Sequence, residues 1–186
     1  MIMLIMTAEE ISATLESLAG RLLQNHPLGE RLALIGIQRR GVYLAARLAE
    51  NLEQKLRGHS PWHKIPSGVL DISLYRDDWT TNDFRPVVRN TRLDFNVQGL
   101  DLVLVDDVLF TGRTVRSALE ALADFGRPNK VELLALIDRG HRELPIQPDY
   151  TGKQVKTERA EQVDVLLREL DGQDEVRLRK KSGAPC

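Results

Sequence analysis

Residues Leu102 to Thr114 read LVLVDDVLFTGRT, and the reading of this stretch decides the fold. Leu102 to Val105 is a continuous apolar run, the pattern of a strand covered on both faces. It leads through Asp106 to Gly112, read as a loop, into a helix marked by Val115, Leu119, Leu122 and Phe125, which Gly126 and Pro128 end. Val131 to Ile137 then supplies the next strand, completing a βαβ unit whose strands should be parallel and whose crossover should be right-handed. The loop puts two adjacent carboxylates, Asp106 and Asp107, at a strand end and a Thr-Gly-Arg-Thr turn, Thr111 to Thr114, at a helix start. Backbone N–H groups there, with Gly112 and the hydroxyls of Thr111 and Thr114, form a cradle for a phosphate. The two acids lie too close to that cradle to bind the same anion and suit the hydroxyls of an attached sugar. One alternative is a turn whose aspartates merely cap the helix. Another, a magnesium site for phosphotransfer, leaves the threonine cradle unexplained.

Working outward, Thr7 and Glu10 read as a capping box before an amphipathic helix carrying Ile11, Leu15, Leu18 and Leu22. Leu32 to Ile37 is a strand, Gln38 to Gly41 a polar turn, and Val42, Ala45, Leu48, Leu52 and Leu56 mark a second helix. Residues 58 to 67 read as a loop. Leu70, Ile72 and Leu74 alternate as a half-buried strand, which a second extended segment from Val87 to Val97 meets as a hairpin with a mobile tip. Beyond Lys153 the pattern weakens to strands around Val163 and Val176, with a turn at Asp171 and Gly172. An open α/β sheet binds ligands beyond the carboxyl ends of its parallel strands. That gathers the chemistry among Gln38 to Gly41, Asp106 to Gly112 and Asp138 to Arg142.

With 186 residues, 42% apolar and 28% charged, the chain is expected to form one domain, 1–186. A net charge of -1 provides no global field to attract nucleic acid, so such contact would need a local basic patch. The single cysteine, Cys186, excludes an intrachain disulfide and fits a reducing cytoplasm. Six apolar residues, Met1 to Met6, lack the basic leader and cleavage site of a secretory signal, and no stretch is long enough to cross a bilayer. His26, His59, His63 and His141 lack metal-site spacing.

Four further blocks, IGIQRRGVYLA (Ile35 to Ala45), LDISLYRDD (Leu70 to Asp78), IDRGHRELP (Ile137 to Pro145) and DYTGK (Asp149 to Lys153), together with the central stretch, resemble the bacterial pyrimidine-operon regulators that are also uracil phosphoribosyltransferases. The resemblance implies an α/β type I phosphoribosyltransferase fold: a parallel-sheet core, flanking helices and a flexible β-hairpin hood over about residues 70–98. It implies UMP formation from uracil and phosphoribosyl pyrophosphate (PRPP). Asp106 and Asp107 would be catalytic, and Asp106, Asp107, Val108, Leu109, Phe110, Thr111, Gly112, Arg113 and Thr114 would hold the 5′-phosphate and ribose. Arg39, Arg40 and Gly41 would form the pyrophosphate loop, where planar guanidinium groups pair phosphate oxygens; the plainer reading is two solvated arginines. Asp138, Arg139 and Val163 would line the base pocket, and Arg76 would belong to the hood, whose alternative is an ordinary exposed hairpin. Magnesium would be held mainly through PRPP, with no direct protein ligand. His141 lies in the RGHREL block without an assigned step.

The same resemblance implies a homodimer or larger homo-oligomer and, as the alternative function, UMP-responsive binding to a pyr leader mRNA. Arg142 and Lys153 stand where RNA-binding relatives carry cations. Yet the first helix carries Glu9, Glu10 and Glu16, and Gln147 replaces an arginine. The terminal Arg177, Arg179, Lys180 and Lys181 cluster could compensate, though a four-cation tail is usually a solvated end. Purine and orotate enzymes share the central motif, so only the resemblance selects uracil.

Overall fold

The computed structural model describes residues 2–58, 64–73 and 91–180. In chain order the elements are β1 (Ile2–Met6), α1 (Ala8–Asn25), β2 (Leu32–Ile37), α2 (Arg40–Leu56), β3 (Ser67–Leu70), β4 (Asp101–Leu109), α3 (Arg113–Ala123), β5 (Lys130–Asp138), β6 (Tyr150–Gln154), β7 (Gln162–Leu166), the single turn α4 (Arg168–Asp171) and β8 (Glu175–Arg179). Five strands form a parallel sheet in the order β3-β2-β4-β5-β6, and β1-β8-β7 form a separate antiparallel sheet.

The local reasons are visible in the sequence. Thr7 accepts from the Glu10 N–H at 3.3 Å while the Glu10 carboxylate accepts from the Thr7 N–H at 2.8 Å, so α1 starts on the expected reciprocal cap. Its buried residues Ile11, Leu15, Leu18 and Leu22 lie on one helical face. All six residues of β2 are buried, as a strand sandwiched by helices requires. Two apolar layers result. One joins α1 and α2 to one face of the sheet; the other joins α3, Leu70, Ile72 and Val97 to the opposite face.

Several expectations are corrected. Asp106 and Asp107 belong to β4 and not to a loop, because the ladder with β5 continues through Asp106–Ala135, Val108–Ile137 and Leu109–Asp138. Arg40 and Gly41 already lie in α2. On α3 the buried face runs through Val115, Ala118, Ala121 and Leu122, which leaves Leu119 and Phe125 exposed. Strand β3 begins at Ser67, the last residue of the expected loop, and ends at Leu70, where the expected alternation starts, and it pairs with β2. The expected 70–98 hairpin retains, among the described residues, one antiparallel bridge between Val69 and Arg92, while Leu70, Ile72 and Val97 are core and not a mobile cover. The hairpin tip with Arg76, as well as His59, His63, Lys181 and Cys186, lies outside the described residues. Strands β1 and β6 had no counterpart in the sequence reading. No helix of the described residues is long and apolar enough to cross a membrane.

Candidate functional site

Parallel strands end on a common edge. Register places Gly36 of β2 beside Val105 of β4 and Leu109 of β4 beside Asp138 of β5, so the segments after β2, β4 and β5 converge there. Gly41 makes that convergence close. A Cβ on it would stand 2.2 Å from the Val105 carbonyl oxygen, so only glycine lets the first turn of α2 press against β4 just before the acid pair. The Gln38–Arg39 peptide preceding it is cis. Arg39 is exposed, whereas Arg40 is half-buried and its guanidinium bonds the Asp171 carboxylate through Nη2 at 3.1 and 3.2 Å.

Of the acid pair, Asp106 is buried and Asp107 half-buried. Asp106 is 5% exposed, and its Oδ1 accepts from the Asp107 N–H at 3.0 Å. Burial pushes the Asp106 carboxyl well above its ordinary range, and the neighbouring Asp107 charge pushes it further. Burial also raises Asp107, opposed by a hydrogen bond with Asp106 and by the positive field of Arg40. Two carboxyls in a poorly solvated site with one cation nearby form an oxygen-rich spot where each negative charge makes the other costlier. That spot suits sugar hydroxyls or a developing carbocation.

Past the acids, the chain turns through Phe110 and Thr111 to Gly112, whose φ of 92° is left-handed backbone that glycine adopts freely. As N-cap of α3, Gly112 provides no side-chain hydrogen bond to the first helical turn. No side chain of the N-cap residue covers the start of α3, where an anion is favoured, and the Arg113 N–H there donates to Thr111 Oγ1 at 3.4 Å. The segment after β5 folds over this loop. Thr111 O accepts from the N–H groups of Glu143 and Leu144 at 2.9 and 3.2 Å, and Arg113 pairs with Glu143 at 2.8 Å. Leu109 O accepts from the Arg139 N–H at 3.1 Å.

The expected base-side residues sit beside it. Arg139 is 7% exposed, with its guanidinium stacked 4.1 Å from the Phe110 ring centre and Nη2 donating to Glu158 O at 2.9 Å. His141 meets the Phe110 ring edge-on, with ring centres 5.9 Å apart, and reaches Thr157 O through Nε2 at 2.6 Å. Asp138 accepts from the Gly140 N–H at 2.9 Å and from Arg142 at 2.7 Å. Val163 is buried in β7, in the smaller sheet, and belongs to the larger apolar layer.

Arg142 and Lys153, the two expected RNA contacts, make internal bonds. Arg142 donates to Ile146 O, Phe110 O, Gly140 O and Asp138, which leaves one of a guanidinium's five N–H groups. Lys153 Nζ donates to Ile5 O at 2.8 Å, tying β6 to β1. In the terminal cluster Arg177 pairs with Glu175, Arg179 with Asp164 at 3.1 Å and Lys180 with Glu161 at 3.3 Å. Sequence reasoning missed Asp171 and Phe110's stacking partners, since neither contact joins residues near in sequence.

Residues 5–166 match the family model described as the phosphoribosyl transferase domain. Among curated relatives, the bifunctional protein PyrR of Syntrophobacter fumaroxidans is 49% identical over 97% of this chain and 94% of its own. That of Desulfosudis oleivorans is 51% identical over 92% and 93%. Among solved structures, the hypoxanthine phosphoribosyltransferase of Trypanosoma cruzi superposes with a TM-score of 0.70 at 18% identity, covering 96% of this chain and 97% of that one. The Staphylococcus aureus hypoxanthine enzyme gives 0.65 at 23%, covering 97% and 93%. At such identities these two likenesses speak to the fold alone.

Proposed function

The chain belongs to the phosphoribosyl transferase domain family and, within it, to the bifunctional PyrR proteins, and on that premise we propose that it is a uracil phosphoribosyltransferase, converting uracil and PRPP to UMP and pyrophosphate. The observation that carries this reading is the Asp106–Asp107 pair, buried at Asp106 and half-buried at Asp107, set between Arg40 and the start of α3.

Transfer at the anomeric carbon passes through an oxocarbenium-like state, which asks for fixed negative charge at the ribose and a stabilised leaving group more than for a nucleophile. Asp106 and Asp107 orient the ribose hydroxyls and face the developing positive charge. The Val108 to Thr114 segment holds the 5′-phosphate, and Arg39, Arg40 and the Gly41 backbone hold the pyrophosphate. Asp138, Arg139 and Val163 border the base, and Arg76 belongs to the segment that excludes water. The acid pair offers the oxygen donors a hard divalent cation prefers. Magnesium would be held mainly by PRPP, with Asp106 and Asp107 beside it, and would supply charge neutralisation at the leaving group. The reading includes a cytoplasmic location and a homodimer or larger homo-oligomer.

The relatives' printed name claims a second function, and here the expectation is an attenuated one. Glu9, Glu10 and Glu16 are exposed along α1, Arg21 donates to Thr151 O at 3.0 Å, and Arg142, Lys153, Arg177, Arg179 and Lys180 are engaged internally. Phosphate contacts supply most nonspecific affinity for RNA, so a depleted basic face weakens it by orders of magnitude at physiological salt.

The test is nucleotide formation from PRPP and magnesium with uracil, orotate, hypoxanthine or guanine, alongside titration of a labelled pyrimidine-leader RNA. UMP from uracil alone with no RNA binding is expected. Nucleotide from a purine instead removes the uracil assignment, and RNA binding tightened by UMP makes regulation the main task.

A further inference from the structure

The pyrophosphate side of the proposed site contains a contact that the phosphate motif does not account for. Arg40 opens α2, and its Nη2 donates to both carboxylate oxygens of Asp171, 131 positions later, at 3.1 and 3.2 Å. The Asp171 carboxylate is itself fixed, because Oδ2 also accepts from the Leu167 N–H at 2.9 Å. The turn that carries it is anchored in turn. Arg47, two helical turns beyond Arg40 and so on the same face of α2, donates to Glu169 at 2.6 and 2.9 Å and to Asp174 at 2.7 and 3.1 Å. Asp174 accepts from the Arg168 N–H at 2.8 Å as well. Three acids of one short turn thus receive two arginines of one helix face.

The remainder of the Arg40 guanidinium is left differently. Its Nε is buried and, among the described residues, has no partner. One end of the fork is held by a carboxylate that cannot follow it, and the other end has unused hydrogen-bonding capacity beside Asp107, whose charge it stabilises. Fixing a free arginine side chain costs rotamer entropy. When the protein has already fixed it, an incoming ligand does not have to.

We propose that Asp171 is a positioning residue for the pyrophosphate subsite, holding the Arg40 guanidinium in place before pyrophosphate or PRPP arrives. The inference rests on the reading of residues 39 to 41 as the pyrophosphate loop and adds a residue from the far end of the chain to it. Asp171 acts through Arg40 and does not itself touch the substrate. Two charges of opposite sign are needed for the anchoring, so an isosteric neutral side chain should release it.

The experiment is calorimetric titration of magnesium pyrophosphate, and separately of UMP, into the full-length wild type and the D171N, D171E and R47Q variants. D171N should weaken pyrophosphate ~10-fold, the scale of one charge-assisted hydrogen bond, while UMP affinity stays within about twofold. D171E should recover part of the loss. R47Q loosens the same turn but keeps the Asp171 charge, and should move pyrophosphate affinity less. Unchanged or tighter pyrophosphate binding in D171N overturns the proposal, the latter because it would make Asp171 a competitor. Parallel loss of UMP, or an equal loss in R47Q, assigns the residue to general folding and overturns it too. A wild type that makes nucleotide only from another base removes the uracil reading, whereas the pyrophosphate comparison, common to every base, still decides this one.

Discussion

Asp106 is 5% exposed, in a strand whose preceding five residues are also buried, and the one hydrogen bond its carboxylate accepts from the backbone comes from its neighbour's N–H. Burial, then the Asp107 charge, raise its pKa above the ordinary 3.8. A carboxyl so raised favours the folded state while it is protonated and disfavours it once ionised. Its contribution is therefore lost as pH climbs from about 3.8 toward the raised value. Asp106→Asn is expected to raise Tm at neutral pH by at least about 2–4 °C, the equivalent of 1 kcal/mol in a chain of this size, and to cut UMP formation severely. The gain over wild type should shrink as unfolding is measured closer to pH 4. Thermal scans at both pH values check it, and an Asn variant less stable than wild type at neutral pH contradicts the burial argument. A site that is more stable without its acid retains the acid for its chemistry. The doubled aspartate at the end of an apolar run made this pair legible in the sequence. The fate of Arg142 was not, because four internal acceptors, three of them main-chain carbonyls, leave no trace in residue identity.

At the other end of the parallel strands, elements are joined by polar side chains that the chemistry does not use. His26, the C-cap of α1, puts Nε2 2.6 Å from Glu132 of β5 and Nδ1 3.7 Å from Asp101, the first residue of β4. Tyr150 of β6 donates to Glu132 at 3.1 Å and accepts from Asn25 at 2.8 Å, while Lys130 lies 3.1 Å from Glu132. The end of α1 and strands β5 and β6 therefore meet at a single buried carboxylate, and His26 links β4 to it through Asp101. Breaking a buried pair from one side leaves an uncompensated charge, at about 3–5 kcal/mol. Lys130 and Tyr150 remain on Glu132, so His26→Leu should destabilise by ~2–4 kcal/mol with turnover per folded molecule unchanged. Adding Glu132→Gln should restore part of that loss; strictly additive effects in denaturant unfolding would show that the two do not interact. The elements themselves differ in how far sequence revealed them. α1, β2, α2 and β5 carry their period plainly, whereas β6 reads Tyr-Thr-Gly-Lys-Gln with no apolar run. It is a strand because β5 templates it, and Gly152 lets it pass where a Cβ would stand 2.5 Å from Leu136 O.

Across the whole molecule the two sheets are built on different terms. β4 sits at the centre of the parallel sheet, hydrogen-bonded on both sides, with Leu102 to Val105 wholly buried. The smaller sheet joins the two ends of the described chain, pairing Ile2 with Arg179 and Leu4 with Arg177, and its edge strand β1 exposes Ile2, Met3 and Leu4 by 62%, 53% and 53%. Six apolar residues at the N-terminus could not announce this strand, because their partner lies some 170 positions away and alternation is missing. Amides open at a free energy set by the contacts that cover them. Hydrogen exchange at neutral pH should thus release Ile2–Met6 and Glu175–Arg179 well before Leu102–Val105, which should exchange only with global unfolding. Because α4 lies between β7 and β8 and delivers Asp171 to Arg40, saturating magnesium pyrophosphate should slow exchange in residues 162–179 more than in β1. If the small sheet exchanges together with β4 and pyrophosphate leaves it unchanged, the two sheets open as one unit and the leaving-group subsite draws no stability from the chain's C-terminal strands.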